Sequence, residues 1–255
     1  MKLFKTILRV VLVLSLIVIS VLAIIQMQSR TCTGIQVIID YKGEHNILSE
    51  KDVIQLIDSA HIKTTSEKLK TIPLESIRKI LSNEIYINKI NKIYFSGTKL
   101  MIDISLREIL MHVFPENDSP FFVDQNGIMI PSSPKIKEKL IIVNGKVNDK
   151  YSLKKSVTNS KSTLNSIYQI ATLILKDPFL KEHFKQIYVN DQKVIELIPA
   201  NGSLTILFGN EIDADEKLFK IKEIYTHVLP YSADQKYRLI DVRFKNRVIA
   251  KKANI

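Results

Sequence analysis

Catalysis and metal binding need particular side chains at particular spacings, and this sequence offers few. Its five histidines, His45, His61, His112, His183 and His227, share no period. Each reads as a surface residue rather than a ligand. There is no HExxH pair for zinc, no GxSxG elbow for a nucleophilic serine, and no glycine-rich loop to cradle phosphate. The acidic group Glu211, Asp213, Asp215 and Glu216 has oxygen donors for calcium but lacks the EF-hand order and its turn glycine. Acids ahead of a helix complement its dipole and cap its amides, and that is the expected role. With 26 acidic residues, two carboxylates at a glycosidase separation remain an open arrangement, so a membrane-anchored cell-wall hydrolase is kept as an alternative. One cysteine, Cys32, rules out an intramolecular disulfide. No cofactor is implied.

Charge is the stronger signal. The 255 residues carry a net +11, with 30 lysines against 7 arginines. Apolar content of 45% excludes a disordered chain, and seven glycines exclude a collagen-like one. Sequence-specific DNA readers favour arginine for bidentate base contacts, so the lysine bias speaks against nucleic acid. The cations gather at two places. Lys2, Lys5 and Arg9 precede an uncharged run from Val10 to Ser29, and residues 231–255 hold seven cations against two acids.

The first cluster has a topological reading. An apolar stretch from Ile7 to Ile25 is long enough to cross a hydrocarbon core of about 30 Å as a helix. Lys2 and Lys5 before it and Arg9 at its start, with no charge from Val10 onward, favour a cytoplasmic N-terminus. The expectation is a cytoplasmic tail at 1–6, a transmembrane helix over 7–27 and the bulk of the chain outside the cytoplasm. A cleaved signal peptide is the competing reading, but its apolar core is typically shorter. Ser29-Arg30-Thr31 ahead of Cys32 does not resemble a lipobox.

Beyond the anchor the hydrophobic period alternates between the two regular structures. Ile35 to Tyr41 is β-branched and reads as a strand. Ser49-Glu50-Lys51-Asp52 has the form of a capping box before Val53, Leu56, Ile57 and Ala60 at helical spacing. A second helix opens at Pro73, with Leu74, Ile77, Ile80 and Leu81 on its apolar face. Leu100, Ile102, Ile104 and Leu106 then alternate with polar positions, the second arm of a hairpin begun by Ile93-Tyr94-Phe95 and turned at Ser96-Gly97-Thr98. A first unit of order β-α-α-β-β is therefore expected over 34–108.

A second, β-rich unit is expected over 109–255. Phe121 to Val123 and Ile128 to Ile130 flank Asn126-Gly127, a tight-turn pair in which both residues tolerate positive φ. Leu140 to Val143 is a strand, Lys146 to Ser162 a lysine-rich loop, and Leu164, Ile167, Ala171, Ile174 and Leu175 a helix ending before Pro178. Strands at Ile187–Val189, Val194–Ile198 and Leu204–Phe208 follow, the last two joined at Asn201-Gly202. Leu218, Ile221, Tyr225 and Val228 mark another helix. Tyr237 to Ala250 reads as one long final strand. The fold class is α+β: one transmembrane helix, the β-α-α-β-β unit, and a mixed β-rich domain with helices packed on its sheet.

These pieces, in this order, resemble the bacterial cell division family FtsQ, called DivIB in Gram-positive bacteria. The segment PFFVDQNGIMIP (Pro120 to Pro131) is similar to the family's aromatic-Asp-x-x-Gly-apolar-Pro stretch. Leu140 to Gly145 resembles the strand that follows, and Val194 to Gly209 with Lys217-Leu218 resembles its meander and next helix. Asp241-Val-Arg243-Phe244 matches the D-x-R-aromatic stretch of its last main strand, and KNRVIAKK (Lys245 to Lys252) is similar to the Bacteroidetes form. Two positions depart: Arg247 stands where relatives often have Gln, and Ile109 where they often have Pro.

The resemblance implies that the first unit is a POTRA domain and the protein a non-enzymatic, single-pass inner-membrane scaffold at the division septum. It implies FtsB- or DivIC-like and FtsL-like partners, with FtsK, FtsW and FtsI around them, and neither nucleic acid nor a small-molecule substrate. Partner binding is expected by strand addition at the final strand, through Asp241, Arg243, Phe244, Lys245, Asn246 and Arg247, with Arg243 the foremost contact. The C-terminal cations would suit an acidic partner segment. Another POTRA-bearing envelope-assembly scaffold is the alternative.

Overall fold

The computed structural model describes residues 11–21, 30–41, 47–136, 140–159, 161–200, 204–231 and 237–252. Residues 11–21 are helical and exposed. Among the described residues, no helix is long and apolar enough to cross a membrane. The rest of the expected span over 7–27, together with Lys2, Lys5 and Arg9, lies outside the described residues. The chain divides after Leu106 into two compact units.

In the first unit, β1 (Gly34–Asp40), α1 (Glu50–Ser59), α2 (Leu74–Asn83), β2 (Ile87–Ser96) and β3 (Lys99–Leu106) follow in the expected order. The sheet order is β1-β3-β2, with β1 parallel and β2 antiparallel to β3. Helix α1 starts where the sequence says it should. Ser49 N donates to Asp52 Oδ2 at 2.8 Å and Asp52 N donates to Ser49 Oγ at 3.2 Å, closing the capping box.

Val53 and Ile57 of α1, and Ile77 and Leu81 of α2, are fully buried against Leu100, Ile102 and Ile104 of β3. Each such side chain contributes about 1.5–3 kcal/mol. Because β3 is central, its opposite-parity residues Met101 and Ser105 are also covered, where the alternation suggested a half-exposed strand. Strand β2 is longer than expected, and the turn to β3 is the pair Gly97-Thr98, with Gly97 at φ +61°.

The second unit is a nine-stranded sheet ordered β12-β11-β10-β9-β8-β7-β4-β5-β6. Its strands are β4 (Ile109–Pro115), β5 (Phe121–Asp124), β6 (Met129–Pro131), β7 (Ile141–Gly145), β8 (Phe184–Val189), β9 (Ile195–Pro199), β10 (Thr205–Gly209), β11 (Tyr237–Asp241) and β12 (Ile249–Lys252). The helices are α3 (Thr163–Lys176), α4 (Pro178–His183) and α5 (Ala214–Glu223). Parallel neighbours need a crossover. Accordingly α3 and α4 lie between the parallel strands β7 and β8, and α5 lies between the parallel strands β10 and β11. Leu164, Ile167, Ile170, Ala171 and Ile174 of α3 and Leu218 and Ile221 of α5 bury against Val143, Ile187, Leu197, Ile206 and Ile240.

Several expectations change here. Strand β4 had no expected element, yet its apolar run pairs with both β5 and β7. Asp177 caps α4 through its Oδ1, which accepts from Phe179 N at 2.8 Å, so the chain re-enters a helix at Pro178. The expected turn at Asn201-Gly202 lies outside the described residues. The helix begun by α5 runs through a π turn at Ile224–Val228. The Asn126-Gly127 turn uses positive φ only at Gly127, at φ +73°. Its geometry comes instead from Asp124, whose Oδ1 accepts from Asn126 N at 2.9 Å and Ile128 N at 2.7 Å.

The largest change is at the C-terminal end. Tyr237 to Ala250 is not one strand. Strand β11 ends at Asp241, residues 242–248 turn back, and β12 pairs antiparallel with β11 in the register Leu239↔Lys251, Ile240↔Ala250 and Asp241↔Ile249.

Candidate functional site

The candidate site is the outer edge formed by β12 and the turn that leads into it. Strand β11 carries Ile240 into the core, and Val242 just beyond it is fully buried and donates its N–H to Leu207 O at 3.1 Å. Asp241 has the opposite parity. Its Oδ1 accepts from Arg243 N at 3.1 Å and Arg243 Nε at 2.8 Å, and its Oδ2 accepts from Arg243 Nη2 at 2.6 Å. One carboxylate thus holds both the backbone and the guanidinium of a residue two positions on, which bends the chain away from the extended form. Hydrogen bonds from Arg243 hold the Asp241 carboxyl below the usual carboxylate range, and the same bonds push the Arg243 guanidinium up.

The stem of Arg243 lies over Gly209. A Cβ at Gly209 would stand 3.0 Å from Arg243 Cγ, and its φ of +93° also favours glycine. From the other side α5 reaches the turn. Lys220 Nζ donates to Phe244 O at 3.3 Å and to Lys245 O, and it pairs with Glu216 Oε1 at 2.6 Å. The Lys220 hydrogen bond lowers the Glu216 carboxyl. Within the turn, the Arg247 guanidinium sits 4.5 Å from the Phe244 ring centre, a cation–π contact. Lys245 and Asn246 form the tip and are exposed.

Five of the six residues expected to meet a partner are therefore in or beside a turn, not on a strand. Arg243 to Arg247 belong to 242–248, and only Asp241 is in a strand. The expectation of a strand through Phe244 and its neighbours is corrected: the Asp241–Arg243 pairing turns that segment back on itself. Charge reversal of Arg243 would also set a second carboxylate against Asp241, which is 6% exposed, so it would disturb the fold. The four residues of β12, Ile249, Ala250, Lys251 and Lys252, are all exposed. Among the described residues no backbone hydrogen bond reaches their outer side. Their alternating directions place Lys251 and Lys252 on opposite faces.

Sequence reasoning missed β12 as the edge and missed Lys220. The turn has no glycine, no proline and no positive φ, so it carries none of the usual punctuation. The signal was the i, i+2 pair of Asp241 and Arg243. The acidic group at 211–216 behaves differently from the expected caps. Asp213 takes the cap position of α5 with φ +54° and no side-chain bond to the helix amides. Buried Lys217 instead ties down the preceding loop, donating to Asn210 O at 3.1 Å and Oδ1 at 3.2 Å, and burial lowers its ammonium pKa.

His112 bonds Ser132 Oγ at 3.0 Å and packs on Phe114 and Phe122. His183 stacks on Phe179. Both are packing residues.

The Asp of the segment Pro120 to Pro131 has a physical role as well. Asp124 is fully buried and its Oδ2 accepts from Arg107 Nη1 at 2.7 Å, while its Oδ1 shapes the β5–β6 turn. At Gly145 a Cβ would stand 2.1 Å from Val189 O, so the glycine that ends β7 is sterically required. Both positions belong to segments that carry the family resemblance. No curated protein matches the chain. A family model described as "FtsQ/DivIB, C-terminal related" matches residues 108–251, from the start of β4 to within β12 and over more than half of the sequence. The chain belongs to this FtsQ/DivIB-related family of cell division proteins.

Proposed function

We propose that the protein is a non-enzymatic scaffold of the division machinery that binds its partner by strand addition at β12. The observation that carries this reading is the cationic outer strand: four exposed residues ending the nine-stranded sheet with its outer side unpaired among the described residues. An exposed edge supplies backbone donors and acceptors to an incoming strand, and side chains then select its sequence. Lys251, Lys252, Lys245 and Arg247 around this edge suit an acidic segment.

FtsB- or DivIC-like and FtsL-like proteins are the proposed partners, with FtsK, FtsW and FtsI in the same assembly. The β-α-α-β-β unit serves as a POTRA domain. The apolar span over 7–27, with Lys2 and Lys5 ahead of it and Arg9 in its first turn, anchors the chain once in the inner membrane with the N-terminus in the cytoplasm.

The test is a pair of adjacent proline substitutions in the full chain. Successive N–H groups of a strand point to opposite sides, so Ala250→Pro and Lys251→Pro remove one inward and one outward donor. Both should abolish recovery of the crosslinked partner from dividing cells and give filaments with unfinished septa. Only the inward one should loosen β11. Normal septation and full partner recovery in both would reject strand addition at β12.

A further inference from the structure

We infer that Lys220 is a positioning residue that holds the 242–248 turn closed and thereby sets which strand the sheet offers to a partner. The inference rests on β12 being the docking edge.

Strand β12 has little else to keep it in place. None of its residues is buried, so it adds nothing to the core, and its ladder is made with β11 alone. An outer strand with this little burial belongs to the low-stability end of a fold and opens on its own unless its turn is fixed.

An ion pair and a lysine clamp fix the turn from opposite sides. The Asp241–Arg243 pair bends its start. At its tip, the carbonyls of Phe244 and Lys245 receive the Lys220 ammonium, which α5 delivers from its second turn. Glu216, four residues earlier on the same helix, holds that ammonium in place at 2.6 Å, and the Lys220 side chain is only 21% exposed. Its stem is thus packed and its charge satisfied on three sides. Helix α5 is anchored independently through Leu218 and Ile221 in the core. The clamp therefore transmits the position of a buried helix to an exposed strand.

Loss of the ammonium leaves the two carbonyls without that donor and unties the tip of the turn from α5, while its start stays held through Val242 and Arg243. When β12 peels away, the outermost strand becomes β11. An incoming strand then meets Leu239, Ile240 and Asp241 instead of Ile249, Ala250 and Lys251, which are their register partners. The lysines of β12 no longer flank the added strand. Lys220 thus determines both the availability and the charge of the edge.

The experiment uses the full chain in detergent micelles. Lys220→Met keeps the stem and removes the charge, and Lys220→Arg keeps a donor. Amide exchange is followed over 237–241 and 249–252, with and without a synthetic eight-residue peptide alternating glutamate and valine. In Lys220→Met, exchange at 249–252 should accelerate by about tenfold, the loss of one charge-assisted hydrogen bond. The thermal midpoint should barely move. Peptide protection should shift from 249–252 to 237–241, which a merely structural role for Lys220 would not produce, and Lys220→Arg should restore the wild-type pattern. Unchanged exchange at 249–252 in Lys220→Met overturns the inference, whatever the peptide does. Accelerated exchange with a peptide that never protects 249–252 in the wild type overturns the docking reading instead.

Discussion

The two edges of the nine-stranded sheet are built in opposite ways. Strand β6 is three residues long, ends in Pro131 and is covered from outside. The segment 154–157 runs along it: Met129 N donates to Lys155 O at 2.8 Å, Lys154 N to Met129 O at 3.1 Å, and Val157 N to Gly127 O at 2.8 Å. Val157 is itself 1% exposed. A short strand, a proline and a backbone strap are the standard means of stopping unwanted pairing. Strand β12, itself four residues long, has neither the proline nor, among the described residues, the strap. Lysines alone guard it, and they repel other cationic edges while admitting an acidic one. The sheet thus covers one edge with backbone and, among the described residues, leaves the other exposed.

The same contrast appears in where each edge keeps its aspartate. Asp124 at the closed edge is fully buried with Arg107, 14% exposed, as its partner. Asp241 at the open edge pairs with an Arg243 that is 39% exposed. Replacing Asp124 by Ala removes a fully buried carboxylate that pairs with Arg107 and holds two turn amides. A loss of about 3–5 kcal/mol in global stability is expected. Chemical denaturation of the full chain measures it. A loss below about 1 kcal/mol would show that the closed edge is held by its strap rather than by its ion pair.

These two ends also differ in how much of them the sequence discloses. The closed edge is readable. An aromatic run at Phe121-Phe122 and an aliphatic one at Ile128 to Ile130 around Asp-x-x-Gly announce a hairpin, and the hairpin is there, with Asp124 rather than Asn126 making the turn. The first unit is readable for a similar reason. Its capping box and its period-two strand are local signals, each satisfied within a few residues. The open edge is not readable in this way. YRLIDVRFKNRV alternates like a strand, and the information that breaks it is spread between Asp241, Gly209 and Lys220 on three separate elements. Tertiary contacts decide a turn that local propensity leaves undecided. Strand β4 was hidden differently. Its run Ile109-Leu-Met111 is apolar at every position because both faces of the strand are covered there, so it shows no alternation.

Acid should separate the edges next. The Asp241 carboxyl titrates below its unfolded value because Arg243 binds it. The stabilisation is therefore complete above the unfolded pKa of about 4 and is lost as pH falls through the folded value. Solvent screening at Arg243 keeps it to about 1 kcal/mol. Nuclear magnetic resonance of the 249–252 amides during acidification should show β12 detaching while Met129 and Ile130 stay fixed. Glu216 titrates in the same direction through Lys220, so Asp241→Asn is the control. It should start partly detached and lose most of its pH response. A full response in Asp241→Asn would assign the opening to Glu216 and the α5 clamp.

The smallest effect on stability should come from the lysines themselves, and it tests whether the open edge is selective or only exposed. Lys251→Glu with Lys252→Glu reverses both faces of β12, where all side chains are exposed, so unfolding free energy should change by no more than about 0.5 kcal/mol. Affinity for an acidic strand should nevertheless fall, and what binding remains should lose its dependence on salt, because screening acts only on the charge component. The matched reversal at the closed edge, Lys154→Glu with Lys155→Glu, should alter neither quantity, since the backbone there is already paired with Met129. Partner binding that is equally strong and equally salt-dependent after reversal of β12 would mean that the backbone alone makes the contact. The lysines would then serve only to keep two copies of the edge apart.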